Sequence, residues 1–289
     1  MRDAGGLEVG SPEVGRRQLA MDLRRLRAAT GRTIDDVARH LECSAAKVSR
    51  METGAVRVGI SDLRVVLELY GVIGAQREAL VDLARRSRRR GWWHEFTDVV
   101  PPASETFYGL EDGAATIRQY STSLVPGLLQ TAEYAAALVG SVPGVPDAVR
   151  RRRVDLRLRR QQLHARAEPP AVTMVLDEAV LRREVGGAAV LAGQVAHLLE
   201  MARRPHVRLQ VLPFAAGAHP AAGVGFTVFG FADPGEAPVA FRELLDANSF
   251  LDRPDQVAFY TDAFAVASQV AADPEASSAL LAARLEELR

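Results

Sequence analysis

Two short amphipathic segments joined by a tight turn, between Thr33 and Glu52, constrain the fold of this chain more than any other feature. Thr33 and Ser44 stand directly before the two segments, where a hydroxyl can cap the N-terminus of a helix. The apolar positions recur at helical spacing and are Ile34, Val37, Ala38 and Leu41 in the first segment and Val48 and Met51 in the second. The pattern predicts two helices that cross steeply, with the small Ala38 at their contact and Gly54 ending the second helix.

The outward face of the second helix carries no large apolar residue. It consists of Ala45, Ala46, Lys47, Ser49, Arg50 and Thr53. A face of this kind needs no cover from protein, and a short second helix after a tight turn is the geometry by which proteins place a helix in the DNA major groove. With the cap residues Thr33 and Ser44, these six are the candidate DNA-binding residues.

The stretch LRRLRAATGRTIDDVARHLECSAAKVSRMETG resembles the phage-repressor and Cro-like (XRE-type) helix-turn-helix family, over roughly Val14 to Val72. The resemblance implies an ion pair between an arginine late in the first helix and a glutamate that ends the recognition helix. Arg27 and Glu52 occupy those places. It therefore predicts a partly buried pair that joins the first helix to the third.

Two positions depart from the family pattern. The first exposed positions of the recognition helix, often base-reading glutamines in that family, are Ala45 and Ala46, which can touch a thymine methyl but cannot donate or accept a hydrogen bond. Glu42 stands where the family often has glycine, which predicts some left-handed backbone strain at the turn.

The charge of the chain is divided unequally along its length. Residues 1–90 hold 18 basic and 12 acidic residues, a net charge of +6, whereas residues 91–289 hold 18 basic and 24 acidic residues, a net charge of −6. The formal net charge of +0 therefore hides an asymmetry that indicates a polyanionic partner, double-stranded DNA, for the first part alone.

Composition narrows the class of protein. The single cysteine, Cys43, excludes an intramolecular disulfide and fits a reducing compartment. No apolar run approaches the roughly 20 residues of a membrane span, and no signal peptide pattern opens the chain. We expect a cytoplasmic protein that does not associate with a membrane.

The pattern along the chain predicts a flexible tail at residues 1–13, a helical domain at 14–90, a linker at 91–107 and a second domain at 108–289. In the first domain a fourth helix, capped by Ser61, should run to Tyr70, and a fifth from Ala75 to Arg90. The fifth ends in an arginine run that either adds phosphate contacts or is a solvated helix end, and charge runs favour the second.

The second domain should be α+β, with a small sheet flanked by helices. The predicted fold class is therefore a mainly α five-helix domain followed by this α+β domain. Helical periodicity predicts helices at Gly109 to Ser121, Gly127 to Val139 and Pro146 to Arg166. Four short runs are typical of strands and lie at Ala171 to Leu176, Val207 to Leu212, Gly225 to Phe231 and Pro238 to Phe241. The arginines between Arg150 and Arg160 predict a solvated or subunit-facing helix rather than a second DNA surface.

Three stretches, YGLEDGAATIRQYSTSLVPGLLQTAEYA, VLDEAVLRREVGG and RLQVLPFAAGAHP, resemble the C-terminal domain of a family of regulators abundant in actinomycete-type bacteria, in which it follows a Cro-like headpiece. The resemblance runs from about Tyr108 to the end, although its pattern dissolves around Val239 to Phe250. It implies a DNA-binding regulator, described for some members as antitoxin-like and often encoded beside a small partner protein.

The second domain also offers carboxylates where catalytic residues often lie. Asp177 and Glu178 end a predicted strand, and with Glu184 and His219 they form a candidate acid-base or metal cluster. The alternative, which we favour, is a capping pair at the start of the next helix. The six histidines make no metal-ligand spacing, and no nucleophile elbow, phosphate loop or dinucleotide motif is present. We therefore expect no enzyme activity, no metal and no cofactor.

The sequence predicts a transcription regulator, a repressor that binds operator DNA as a homodimer through the helix at residues 44–53. One alternative is an antitoxin-like interaction module that binds a small co-encoded partner protein through its second domain. Another is a ligand-sensing regulator with the Gly217 to Gly225 loops near a pocket.

Overall fold

A computed structural model describes residues 11–101, 104–233, 235–244 and 248–289. They form two compact units, one that extends to His94 and one that starts at Glu95. The predicted tail falls mostly on residues 1–10, outside the described residues, while Pro12 already begins the first helix. The predicted linker at 91–107 contains a short 3₁₀ helix at Trp92–Phe96 and the start of a helix at Glu105.

Within residues 11–94, five α-helices build the N-terminal unit, as predicted. They are α1 Pro12–Ala29, α2 Ile34–His40, α3 Ala45–Glu52, α4 Ile60–Leu69 and α5 Gly74–Ser87. Their apolar faces meet in one core, whose most buried members include Leu19, Leu23, Val37, Val48, Leu63 and Leu67. Helix α1 packs against α3 and α5, and α2 packs against α3. The core therefore holds α2 and α3 in place.

One predicted helix start in this unit is wrong. Helix α4 begins at Ile60 after Gly59, and its N-terminus has no side-chain cap, so Ser61 lies inside the first turn rather than at the cap. Helix α5 ends at Ser87, which leaves Arg88 as its C-cap and the next arginines beyond it.

The C-terminal unit combines seven α-helices with six strands in the part of the chain that the structure describes. The helices are α6 Glu105–Gly113, α7 Ala132–Gly140, α8 Asp147–Arg160, α9 Glu178–Arg182, α10 Ala188–Met201, α11 Pro254–Val270 and α12 Pro274–Glu287. The strands are β1 Thr116–Ser121, β2 Ala171–Asp177, β3 Val207–Leu212, β4 Phe226–Gly230, β5 Val239–Glu243 and β6 Asn248–Leu251. The predicted α+β class is confirmed.

The strands form one mixed sheet in the order β3-β2-β1-β4-β5-β6. Strands β1, β2 and β3 are parallel, and β4, β5 and β6 add to the β1 edge as antiparallel neighbours. In the register, Tyr120 lies opposite Val175 on β2 and opposite Phe226 on β4. The carboxyl ends of the three parallel strands and the start of β4 therefore share one edge of the sheet.

The predicted helix at Gly109 to Ser121 is wrong, because α6 stops at Gly113 and strand β1 begins at Thr116. Strand β1 is central and forms ladders with β2 on one side and β4 on the other. Its buried residues are Ile117 and Tyr120, whose three-residue spacing fits a helix as well as a strand. Pairing with strands distant in sequence decides the conformation here, as tertiary context often does for short segments.

Candidate nucleic-acid interface

The turn between α2 and α3 is stabilised by backbone hydrogen bonds rather than by a glycine. Glu42 takes a left-handed conformation with φ +50°, which non-glycine residues rarely adopt. The amide of Cys43 then donates to the carbonyl of Ala38 at 2.9 Å, and that of Leu41 to Val37 at 2.9 Å. The chain reverses within a few residues and presents α3 across α2.

Both cap hydroxyls are engaged inside the motif. Thr33 and Asp36 form a capping box, in which the Thr33 hydroxyl accepts from the Asp36 amide at 3.1 Å and Asp36 Oδ2 accepts from the Thr33 amide at 2.9 Å. These hydrogen bonds lower the pKa of Asp36. Ser44 Oγ accepts from the Lys47 amide at 3.2 Å. Thr33 and Ser44 therefore fix where the two helices begin.

The structure places Arg27 and Glu52 together in a bidentate ion pair. Arg27 Nε donates to Glu52 Oε1 at 2.7 Å and Arg27 Nη2 to Oε2 at 3.0 Å, with side chains only 17% and 6% exposed. Hydrogen bonding to Glu52 raises the pKa of Arg27. Burial raises the pKa of the adjacent Tyr70 to about 12, so its hydroxyl stays protonated. The pair fastens the end of α3 to α1.

The predicted outward residues of α3 differ in how freely they reach solvent. Ala45 is half-buried and packs against the core, whereas Ala46 and Arg50 are exposed. The Thr53 hydroxyl donates to the Ser49 carbonyl at 3.0 Å, so it is occupied at the helix end. Within the described residues, the Arg50 guanidinium has no hydrogen-bond or ion-pair partner.

Lys47 is different, because its ammonium is already paired. Lys47 Nζ lies 2.8 Å from Asp62 Oδ2 in the first turn of α4, and this hydrogen bond raises the pKa of Lys47. The sequence interpretation assigned no role to Asp62. An acidic residue early in the helix that follows the recognition helix is the signal that could have found it, but sequence spacing does not show that the two side chains meet.

Two arginines of the C-terminal unit, Arg160 and Arg166, are internal partners of carboxylates. Arg160 makes two hydrogen bonds of 2.7 Å to the carboxylate of Glu111, with side chains 13% and 5% exposed. Burial lowers the pKa of Arg160, but the charge and hydrogen bonds of Glu111 outweigh it and raise the pKa overall. Arg166 pairs with Asp112. Helix α8 and the segment after it are thereby joined to α6.

A third arginine of this group lies at the surface. Arg152 donates to both carboxylate oxygens of Asp98 at 3.0 and 3.1 Å. Its guanidinium also lies 4.4 Å from the centre of the Phe96 ring. A solvated or subunit-facing helix was predicted at Arg150 to Arg160, and within it Arg152 and Arg160 pair with carboxylates of the same unit.

The candidate acid-base cluster at the end of β2 is only partly assembled. Asp177 caps α9 by accepting from the Ala179 amide at 2.9 Å, and its other oxygen lies 3.2 Å from the Tyr120 hydroxyl. His219 Nε2 lies 3.4 Å from the same hydroxyl. Glu178 instead accepts from the Phe214 amide at 3.0 Å, and Glu184 lies 3.4 Å from Arg284. The capping role of Asp177 is confirmed, and Tyr120 is a partner that the sequence did not reveal.

A second polar contact of this unit joins two histidines. His164 Nδ1 lies 3.0 Å from His206 Nε2, and His164 Nε2 lies 3.1 Å from the Leu128 carbonyl. Burial lowers the pKa of His164 to about 4, so the ring is neutral at pH 7. Among the described residues, no group of three or more His, Cys, Asp or Glu side chains is arranged to hold a metal ion.

Comparison with known families gives two matches. Residues 18–80 match a model described as a helix-turn-helix domain, which supports a DNA-binding regulator. Residues 104–283 match the domain of unknown function DUF5753, and because this model covers more than half of the 289 residues, the chain belongs to that family. No curated protein and no solved structure matches the chain. In the part of the chain that the structure describes, no helix has the length and apolar character needed to cross a membrane.

Proposed function

We propose that this DUF5753-family chain is a sequence-specific transcription regulator of the XRE type, a cytoplasmic repressor that reads operator DNA through α3. The observation that carries the proposal is the outward face of α3. It presents the Arg50 guanidinium, which is unpaired within the described residues, from a helix fixed on its other side by the core and by the Arg27–Glu52 pair. The net charge of +6 over residues 1–90 supports a polyanionic partner for this unit.

The exposed side chains divide between base and phosphate contacts. Arg50 is the candidate for a bidentate contact to guanine, the commonest specific pairing in the major groove. Ser49 and Lys47 would contact an adjacent base or a phosphate, and Ala46 would touch a thymine methyl. Thr33, Ser44 and Thr53 use their hydroxyls within the helix-turn-helix, and the amides of Thr33 and Thr53 also donate inside it. We therefore propose that these three residues serve DNA binding mainly by fixing where the helices begin and end.

We propose that the protein acts as a homodimer. A single recognition helix covers only a few base pairs, and two-fold pairing of helices is the usual way to gain specificity. The operator would then contain two half-sites about 10 base pairs apart, centre to centre, or a multiple of that spacing.

Chromatin pull-down of the full chain, followed by sequencing, tests this function. The expected result is a small set of enriched promoter regions that share a two-fold-related motif. The Arg50→Ala chain is the control, and it should lose that enrichment. Enrichment spread evenly over the genome, or confined to coding regions, would contradict sequence-specific regulation.

A specific observation also favours ligand sensing by the C-terminal unit. Tyr120, Asp177 and His219 meet where parallel strands end, the edge at which α/β proteins commonly bind small molecules. Within the described residues, His219 Nδ1 is buried without a hydrogen-bond partner. A thermal-shift screen of small polar metabolites should find a compound that stabilises the wild-type chain but not Asp177→Asn. If every compound acts equally on both chains, ligand sensing at this edge is wrong.

A further inference from the structure

We infer that Asp62 acts as an electrostatic restraint on DNA affinity by holding the Lys47 ammonium away from the phosphate backbone. The inference rests on the proposed DNA-binding function and adds a residue to it. The net charge of residues 1–90 does not reveal this role, because Asp62 is one of 12 acidic residues in that range.

The geometry places the restraint on the recognition helix itself. Lys47 is on α3 and Asp62 in the first turn of α4, and Nζ lies 2.8 Å from Oδ2. The side chains are 41% and 28% exposed, so the pair lies at the surface, where a phosphate can compete for the ammonium. Asp62 lies in the first turn of α4, where the positive end of the helix dipole favours a negative charge.

Lys47 and Arg50 are the two cations of α3, and the structure treats them differently. Arg50 is exposed and free of ion-pair partners within the described residues, whereas Lys47 is neutralised by its neighbour. A neutralised cation releases no counterions from DNA, so Lys47 should add little to sequence-independent binding while Asp62 is present. The restraint lowers affinity for all DNA and leaves discrimination to Arg50.

Substitution Asp62→Asn in the full chain tests the restraint, because it keeps the side-chain shape and removes the charge. The probes are a duplex from the chain's own promoter region and an unrelated duplex of equal length, titrated over a range of salt. We expect both duplexes to be bound about two- to fivefold more tightly, the range expected for releasing an exposed ion pair. The slope of log K against log salt should steepen by about 0.9, as for one added phosphate contact.

Glu68→Gln is the matched control, since Glu68 is an exposed acid on the same helix, without an ion-pair partner among the described residues. It changes the net charge equally and should alter affinity less than Asp62→Asn. Circular dichroism melting of each chain shows that the variants are folded.

A double-mutant cycle separates the restraint from a general charge effect. If Asp62 acts through Lys47, Asp62→Asn should increase affinity more in the Lys47 chain than in a Lys47→Ala chain. Equal increases in the two backgrounds, or an increase matched by Glu68→Gln, would overturn the inference. If the wild-type chain binds neither duplex at any salt concentration, the proposed function itself fails, which is a distinguishable result.

Discussion

The two arginine-rich regions of this molecule use the same side chain in opposite ways. In the N-terminal unit, Arg50 and the arginines that follow Arg85 are exposed, and within the described residues Arg86, Arg88, Arg89 and Arg90 have no ion-pair partner. In the C-terminal unit, Arg152, Arg160 and Arg166 are each paired with a carboxylate of the same unit. Arginine density therefore does not identify a polyanion-binding surface. What matters is whether the guanidinium is already neutralised.

The largest expected effect comes from breaking the buried pair between Arg160 and Glu111. Arg160→Ala leaves the Glu111 carboxylate buried without its partner, which costs about 3–5 kcal/mol of unfolding free energy. Urea denaturation followed by circular dichroism measures the loss. DNA affinity, which we assign to the other unit, should stay unchanged under conditions where the chain is folded.

A double variant, Arg160→Met with Glu111→Leu, is the control for this prediction. Removing both charges avoids the unpaired carboxylate, so this chain should be markedly more stable than Arg160→Ala. If Arg160→Ala costs less than about 1 kcal/mol, the usual upper range for an exposed pair, the pair is not the internal connection described here.

The next effect should follow removal of the exposed arginine on α3. Arg50→Ala should reduce discrimination between operator and unrelated DNA by about 1–3 kcal/mol, the value of one bidentate base contact. Lys47→Ala should instead weaken binding only slightly and to all sequences alike, because Asp62 already neutralises the Lys47 ammonium. Competition titrations with operator and scrambled duplexes measure both variants. Equal loss on every sequence for both variants would refute this division of roles.

Lowering the pH from 7 to 5 should destabilise the C-terminal unit through His164. The pKa of His164 is lowered from 6.5 to about 4 by burial, so the folded state resists protonation that the unfolded state accepts. Its contribution to stability is present above about pH 6.5 and is lost as the pH falls toward 4. Between pH 7 and pH 5 the loss is about 2 kcal/mol.

Urea titrations of the wild-type chain and of His164→Gln at pH 7 and at pH 5 measure how much stability each chain loses on acidification. The variant should lose less stability on acidification than the wild-type chain does. His40→Gln, at an exposed position of α2, is the matched control and should behave like wild type. An unchanged pH dependence in His164→Gln would contradict the role of this residue.

The smallest effect is expected at the surface arginine of α8. The Arg152–Asp98 pair is 39% and 54% exposed, so solvent screens it and Arg152→Ala should leave the free energy of unfolding almost unchanged. It should also leave the salt dependence of DNA binding unchanged, because this arginine belongs to the internally paired group. A shallower salt slope in Arg152→Ala would place α8 on the DNA and remove the contrast between the two regions.

Local signals were enough to predict the helix-turn-helix unit. Its helices are short, their apolar spacing is regular, and caps such as Thr33 and Ser44 act within three residues of themselves. The helix predicted across β1 failed because that strand is decided by partners distant in sequence, β2 and β4. Strand β6 was not predicted, and it lies where the family pattern dissolves.

Some exposed positions of α3 could be predicted from the sequence, but the electrostatics around them could not. The outward positions of α3 follow from helical periodicity, which Ala46 and Arg50 illustrate. The Lys47–Asp62 contact depends on how α4 packs beside α3, and periodicity within one helix carries no information about that. Tyr120 could not be joined to Asp177 for the same reason, since 57 residues separate them.

The most direct test of the account is the salt dependence of DNA binding by the purified full chain. Fluorescence anisotropy with a labelled duplex from the chain's own promoter region should show tight binding at low salt and a linear fall of log K with log salt. Arg50→Ala should lose the preference for that duplex over an unrelated one. Absence of salt-sensitive binding to any duplex of that region would contradict the central claim that α3 enters the major groove.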